Sequence, residues 1–364
     1  MKILFDHQIF TSQKYGGISR YFFELIKNID NIEVENATLF SYNHYLISDN
    51  SKKCISFFPK INFRGKQRSL LFLNNTFSKL KIINGNFDIF HPTYYDPYFL
   101  KYLNGKPFVL TVYDMIHEKF DETFPQDDKT SYYKKILVNK AVKIIAISEN
   151  TKKDLIDLFG VEKSKIEVVY LGNSMLLNND VNIDFNFPKN FILFVGIRKG
   201  YKNFDRFIKS IAKLLHENVD LLVVCVSGGK FNNEELELFE KLNIQRSVLQ
   251  YDLEDNQLAQ FYARALVFVF PSLYEGFGIP VLESFACSCP LICSNTSSLP
   301  EIAADGAEYF DPYSQKSIYT NVKKVLESLE LRNTLIKNGN ERLKYFSWEK
   351  TAQQTKKIYE SIII

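Results

Sequence analysis

The chain reads as an α/β protein built from two doubly wound, Rossmann-like domains, and three observations lead there. Its strand candidates are short apolar runs that are continuous rather than alternating, as strands buried on both faces of a parallel sheet must be. Segments of helical periodicity fall between them. The rhythm stops in an Asn-rich, aperiodic stretch, Asn173 to Lys189, and then restarts. At 364 residues the chain is long enough for two buried cores.

In chain order the strand candidates are Lys2 to Phe5, Ile89 to His91, Phe108 to Tyr113, Lys143 to Ile147, Phe191 to Val195, Leu221 to Val226 and Leu266 to Phe270. The helical segments are Ser19 to Asn28, Asn150 to Phe159, Asn203 to Leu215, Glu234 to Leu242 and Gln257 to Arg264. Domain boundaries at 1–175 and 176–345 follow, with a terminal helix over 346–364. Open α/β sheets bind ligands at the carboxyl ends of their strands, so a cleft between the two domains is expected.

Composition removes several classes. The net charge is only +3, against the strong basic excess of a nucleic-acid polycation. No apolar run reaches the 18 to 20 or so residues of a membrane span, and MKILFDHQIF lacks the features of a signal peptide, so a cytoplasmic location is expected. Cys54, Cys225, Cys287, Cys289 and Cys293 are odd in number, which argues against a disulfide framework. They read as small buried hydrophobes, and no His pair with ligand spacing accompanies them. From Ser51 to Phe87 there is no acid, but there are eight Lys and Arg residues interleaved with Phe63, Leu70, Leu71, Phe72, Leu73 and Phe77. That pattern suits either an anionic membrane surface or polyanionic acceptor, or the solvated face of an ordinary helix.

The most informative segment is PSLYEGFGIPVLESFACSCP, Pro271 to Pro290. A strand runs into a turn holding Gly276 and Gly278, and Pro280 is placed for the first turn of a helix. Amides and dipole at such a helix start favour phosphate. Glu275 and Glu283 flank the turn, on the loop and about one helical turn in. Upstream, FVGIRKGYKNF places Arg198, Lys199 and Lys202 after another strand, where cations could clamp a diphosphate. The third glycine of a dinucleotide fingerprint is missing, and no Walker A, HExxH or Asp-x-Asp sequence occurs.

With EGFGIPVLE followed by SNTSSLPEIAADGAEYFDP, the chain resembles glycosyltransferase family 4, retaining enzymes of GT-B fold. YGGISRY, IIAISENTKKDL, VVYLGN and FSWEKTAQQTKKIY extend the resemblance over nearly the whole length. The resemblance implies a retaining hexosyl transfer from a GDP- or UDP-sugar, with GDP-mannose slightly favoured, to a glycan or polyprenyl-linked acceptor in surface polysaccharide assembly. It implies that Glu283 binds the donor ribose and Glu275 the sugar hydroxyls, with Gly276, Phe277 and Gly278 holding sugar and phosphate. Arg198 and Lys202 would neutralise the diphosphate, and Gly16 and Gly17 would let the first loop approach it. No metal or cofactor is implied, because cations and amides can stabilise the leaving group. Where many members carry His, this chain has Tyr113; Asp114, His117 and His91 remain as candidates to orient the reacting groups. Two other readings stay open, a sugar-nucleotide epimerase or phosphorylase of the same fold and a non-catalytic nucleotide-sugar scaffold.

Overall fold

A computed structural model describes residues 1–48, 54–177 and 187–363. The central part of the Asn-rich stretch and the residues Lys52 and Lys53 of the acid-free stretch lie outside the described residues. Contacts divide the chain into two compact units, Met1–Leu171 with Trp348–Ile364, and Gly172–Ser347.

In the first unit, β1 (Lys2–Phe5) lies between β2 (Glu33–Asn36) and β5 (Ile89–His91), all parallel. β6 (Val109–Val112), β7 (Lys143–Ala146) and β8 (Ile166–Val168) form a second parallel set. A parallel bridge between Phe90 and Phe108 joins the two sets. A separate ladder pairs β3 (Phe40–Ser41) with β4 (Ile55–Ser56). The continuous apolar runs are buried on both faces, which is why they carry no polar alternation: every residue of β5 and β6 is buried.

The terminal helix, Trp348–Ile363, belongs to this unit and packs on the helix Gly17–Asn28. It is pinned by the Thr351 hydroxyl, which donates to the Tyr170 carbonyl at 2.7 Å, and by Lys356, which reaches the Asp30 carbonyl at 3.1 Å. Under it lies a small polar knot in an aromatic core. His91 bonds the Tyr359 hydroxyl through Nδ1 and Thr111 Oγ1 through Nε2 at 2.9 Å, between the rings of Phe5 and Phe22. Burial pushes the His91 pKa down to about 3, so the ring is neutral in the fold.

Among the described residues, the second unit has one six-stranded parallel sheet. Its members are β9 (Asn190–Val195), β10 (Leu221–Val226), β11 (Val248–Tyr251), β12 (Val267–Phe270), β13 (Leu291–Ser294) and β14 (Ala307–Phe310), in the order β11-β10-β9-β12-β13-β14. This order places the topological switch between β9 and β12, where a crevice opens at the strands' carboxyl ends. Helices Phe204–Glu217 and Gln315–Glu327 cover one face through Phe207, Ile211, Ile318 and Val322. All five cysteines are free, and four are buried.

Tyr359→Phe leaves His91 Nδ1 without a partner and should cost about 1–3 kcal/mol in urea unfolding. Because the unfolded ring titrates near 6.5 and the folded ring near 3, His91 stabilises the fold above pH 6.5, and that contribution erodes as the pH falls toward 3. The His91→Gln chain should show a shallower loss of stability over that range.

Candidate active site

Two loops leave the sheet of the second unit at its switch point. The first follows β9 through Gly196 to Asn203, and the second follows β12 through Pro271 to Gly278. Asn203 joins them: its side-chain amide donates to the carbonyls of Pro271 at 3.1 Å and Pro312 at 2.9 Å. The backbone adds a bond from the Leu273 amide to the Tyr201 carbonyl at 2.7 Å. On its other side the second loop is held by three hydroxyls. Ser297 accepts from the Glu275 amide at 2.9 Å, Ser298 donates to the carbonyls of Glu275 and Phe277, and Thr296 donates to the Leu273 carbonyl. A buried loop whose polar backbone is satisfied this fully is a rigid platform.

That platform sets Lys202 against Glu275. Lys202 Nζ lies 2.6 Å from Glu275 Oε1, with the two side chains 15% and 12% exposed. The ammonium also sits 5.3 Å from the centre of the Phe270 ring. The helix Ile279–Ala286 starts directly after Gly278, with Pro280 in its first turn, so the positive end of its dipole faces the loop. Gly278 has φ +99°, and a Cβ there would lie 2.9 Å from Leu299 Cδ2, so conformation and space both demand glycine. Glu283 projects from the helix and accepts from the Tyr262 hydroxyl at 3.2 Å.

Arg198 does not join this group, which corrects the expectation that it clamps a diphosphate. Its guanidinium is buried, with Nε donating to Glu235 at 2.8 Å and the terminal nitrogens donating to the carbonyls of Ser227, Gly229 and Lys230. These bonds all go to the loop after β10 and to Glu235 on the helix Asn233–Lys241 that follows. Glu235 in turn closes a capping box with Asn232. Arg198 therefore shapes the Gly228–Gly229 turn: Gly228 has φ +78°, and a Cβ there would lie 2.9 Å from Arg198 Nη1.

In the first unit, Gly16 and Gly17 open the helix Gly17–Asn28, Gly17 being exposed. Asp114 and His117 follow β6. Asp114 accepts from the Ile116 amide at 3.0 Å. His117 stacks on Phe124 with centroids 3.9 Å apart and lies 3.8 Å from an Asp128 oxygen, while its Nδ1 is buried without a partner. Burial and then the Lys134 charge lower its pKa, so the imidazole is neutral at pH 7. Lys134, fully buried, bonds Glu118 at 2.8 Å and the Asp114 carbonyl at 2.9 Å, which fixes this loop. Tyr113 is buried and donates to the Thr93 carbonyl at 3.3 Å, so its hydroxyl is committed to the fold.

His91 is corrected too. It ends β5, but its side chain points into the core, is 0% exposed and has both ring nitrogens bonded, so it reaches no substrate. Asn203, Ser297, Ser298 and Lys134 escaped the sequence reading. Asn203 stood inside the GYKNF run with no reason to be singled out, and the others carry no local signal. Among the described residues there is no cluster of three His, Cys, Asp or Glu fit to hold a metal, and no helix long and apolar enough to cross a membrane.

Arg198→Ala should strand the Glu235 carboxylate and cost roughly 3–5 kcal/mol in denaturant unfolding. Lys202→Ala, at a more exposed pair, should cost far less.

The comparisons with known proteins agree with this architecture. The family model for glycosyl transferases group 1 matches residues 179–342, and that for glycosyltransferase family 4 matches residues 15–173. The chain is 29% identical over 359 residues to an uncharacterized glycosyltransferase of Methanocaldococcus jannaschii, covering 95% of each. It is 26% identical over 287 residues to O-antigen chain mannosyltransferase B of Escherichia coli, covering 75% of this chain and 74% of the other. Sucrose-phosphate synthase from Thermosynechococcus elongatus shares the fold with a TM-score of 0.76 at 18% identity, over 100% of this chain and 98% of that one. The chain has the GT-B fold and belongs to the family 4, group 1 glycosyltransferases.

Proposed function

We propose that this glycosyltransferase moves a hexose, with retention of anomeric configuration, from a nucleoside diphosphate donor to a hydroxyl of a glycan or lipid-linked acceptor in surface polysaccharide assembly. The observation that carries the reading is the Lys202–Glu275 pair at the strand switch point, beside the amino end of the Ile279–Ala286 helix. It combines a cation, a helix dipole and a carboxylate on one rigid loop system, the set a sugar diphosphate requires.

In this reading Lys202 and the helix end neutralise the diphosphate, Glu275 accepts from the sugar hydroxyls, and Glu283, oriented by Tyr262, accepts from the ribose. Phe277 and the flanking Gly276 and Gly278 shape the floor. The bond from the anomeric carbon to the diphosphate oxygen breaks, and the acceptor oxygen bonds that carbon on the same face. The acceptor proton passes to the departing oxygen, so neither a metal nor a cofactor is needed. Within the first unit, Asp114 and the neutral His117 are the groups that would orient the acceptor. The likeness to an O-antigen chain mannosyltransferase of Escherichia coli supports a mannosyl donor; a GDP-sugar is the donor we favour, with UDP-sugars next. A place at the cytoplasmic face of a membrane suits such an acceptor.

Glu275→Ala should lower transfer by a factor on the order of 10² to 10³ across a nucleotide-sugar and acceptor panel, as loss of one preorganised polar contact does. Its thermal unfolding should stay close to wild type. Full transfer by this variant would remove Glu275 from the site, and donor binding without transfer by the wild-type chain would favour a binding scaffold.

A further inference from the structure

We propose that the first unit docks on an anionic lipid bilayer through the face formed by residues 55–83. The helix Lys66–Asn84 is built inside out. Its buried stripe is Leu70, Asn74, Ser78 and Ile82, spaced four apart. Two of those four are polar, and they hold the helix down: Asn74 bonds Thr11 Oγ1 at 2.8 Å and the Phe40 carbonyl at 2.7 Å, and Ser78 meets the Tyr98 hydroxyl at 2.7 Å. The opposite flank exposes large apolar residues beside Ser69, Thr76 and Lys79, with Phe72 71%, Leu80 62% and Ile83 52% exposed. A helix that turns two polar residues inward and its large apolar residues outward has a second apolar surface to cover.

The loop before it repeats the theme. Ile55, Phe58, Ile61 and Phe63 are all exposed. Their arrangement is fixed, because Lys66 Nζ donates to the carbonyls of Phe58 and Ile61 at 2.8 and 2.9 Å, and the Phe58 and Phe63 rings meet edge-on at 5.9 Å. Nine of the 23 exposed large hydrophobic residues among those described fall in this one segment, too many for scattered surface residues.

Charge selects the occupant. Lys60, Arg64 and Arg68 are exposed on this face, and no acid occurs between Ser51 and Phe87. A second copy docking face to face would bring these cations against their own images. A polyanionic glycan would match the cations but leave the apolar residues in water. An anionic bilayer satisfies both, with the apolar side chains at the acyl boundary and the cations among the headgroups. The mode is lying on the membrane, since none of the described helices is long and apolar enough to cross it. The inference extends the proposed use of a lipid-linked acceptor, but its test does not pass through the transfer site.

The test is cosedimentation with vesicles of phosphatidylcholine plus phosphatidylglycerol, against pure phosphatidylcholine. The chain should partition to the anionic vesicles, less so as salt rises. Each cation near such a surface contributes about fivefold, so the triple variant Lys60→Gln, Arg64→Gln, Arg68→Gln should bind about a hundredfold more weakly. The variant Phe58→Ser, Phe72→Ser, Leu80→Ser should lose the salt-resistant part of binding while its thermal unfolding holds, because the residues are exposed. No binding to anionic vesicles, equal binding to neutral ones, or unchanged binding by both variants would overturn the proposal. A concentration-dependent dimer in sedimentation velocity that the serine variant abolishes would also overturn it, in favour of a second copy.

Discussion

Everything at the candidate site depends on one topological constraint, the reversal of strand order between β9 and β12. Parallel strands that fan out in opposite directions cannot send their crossovers to the same side at the point of reversal. The loops leaving β9 and β12 are therefore neighbours with nothing packed over them from their own sheet. Asn203, Ser297 and Ser298 convert that proximity into rigidity, by tying backbone carbonyls and amides that would otherwise be stranded. Only then can Lys202 and Glu275, 73 residues apart in the chain, meet at 2.6 Å.

The electrostatics follow from that geometry. Without a ligand, a lysine and a glutamate on a half-enclosed platform neutralise one another, so neither charge is left alone away from water. In the proposed function a sugar diphosphate would offer each a new partner of the right sign or polarity: phosphate oxygens for the ammonium and hydroxyl groups for the carboxylate. The loops that carry them are already fixed, so only the two side chains would exchange partners. Arg198 serves the same platform from behind. Its guanidinium, closed off by Glu235, shapes the turn after β10 and leaves Lys202 as the cation facing Glu275.

The parts legible in the sequence were those decided locally. Strands such as Leu221–Val226 announce themselves by continuous apolar runs, and the Gly276, Gly278 and Pro280 pattern announces a turn into a helix. The strands Val248–Tyr251, Leu291–Ser294 and Ala307–Phe310 were missed, because four residues with Gln, Cys, Ser or Glu among them carry too little pattern. Side-chain roles were legible only when the partner was near in sequence. Arg198 finds Glu235 37 positions later, and His91 finds Tyr359 268 positions later, so neither could be recognised as internal. The helix Lys66–Asn84 hid its orientation for a related reason. Its inward stripe is chosen by hydrogen bonds to Thr11, Phe40 and Tyr98 rather than by hydrophobic periodicity.

The most direct measurement is thermal stabilisation of the chain by UDP, GDP, dTDP and CMP, without metal and then with magnesium, repeated on Lys202→Ala. A ligand at a hundred times its dissociation constant stabilises the folded state by about 2.7 kcal/mol. The account predicts a clear, metal-independent preference for one nucleoside diphosphate, lost in Lys202→Ala. No shift with any nucleotide, or the same shift in wild type and Lys202→Ala, would contradict it.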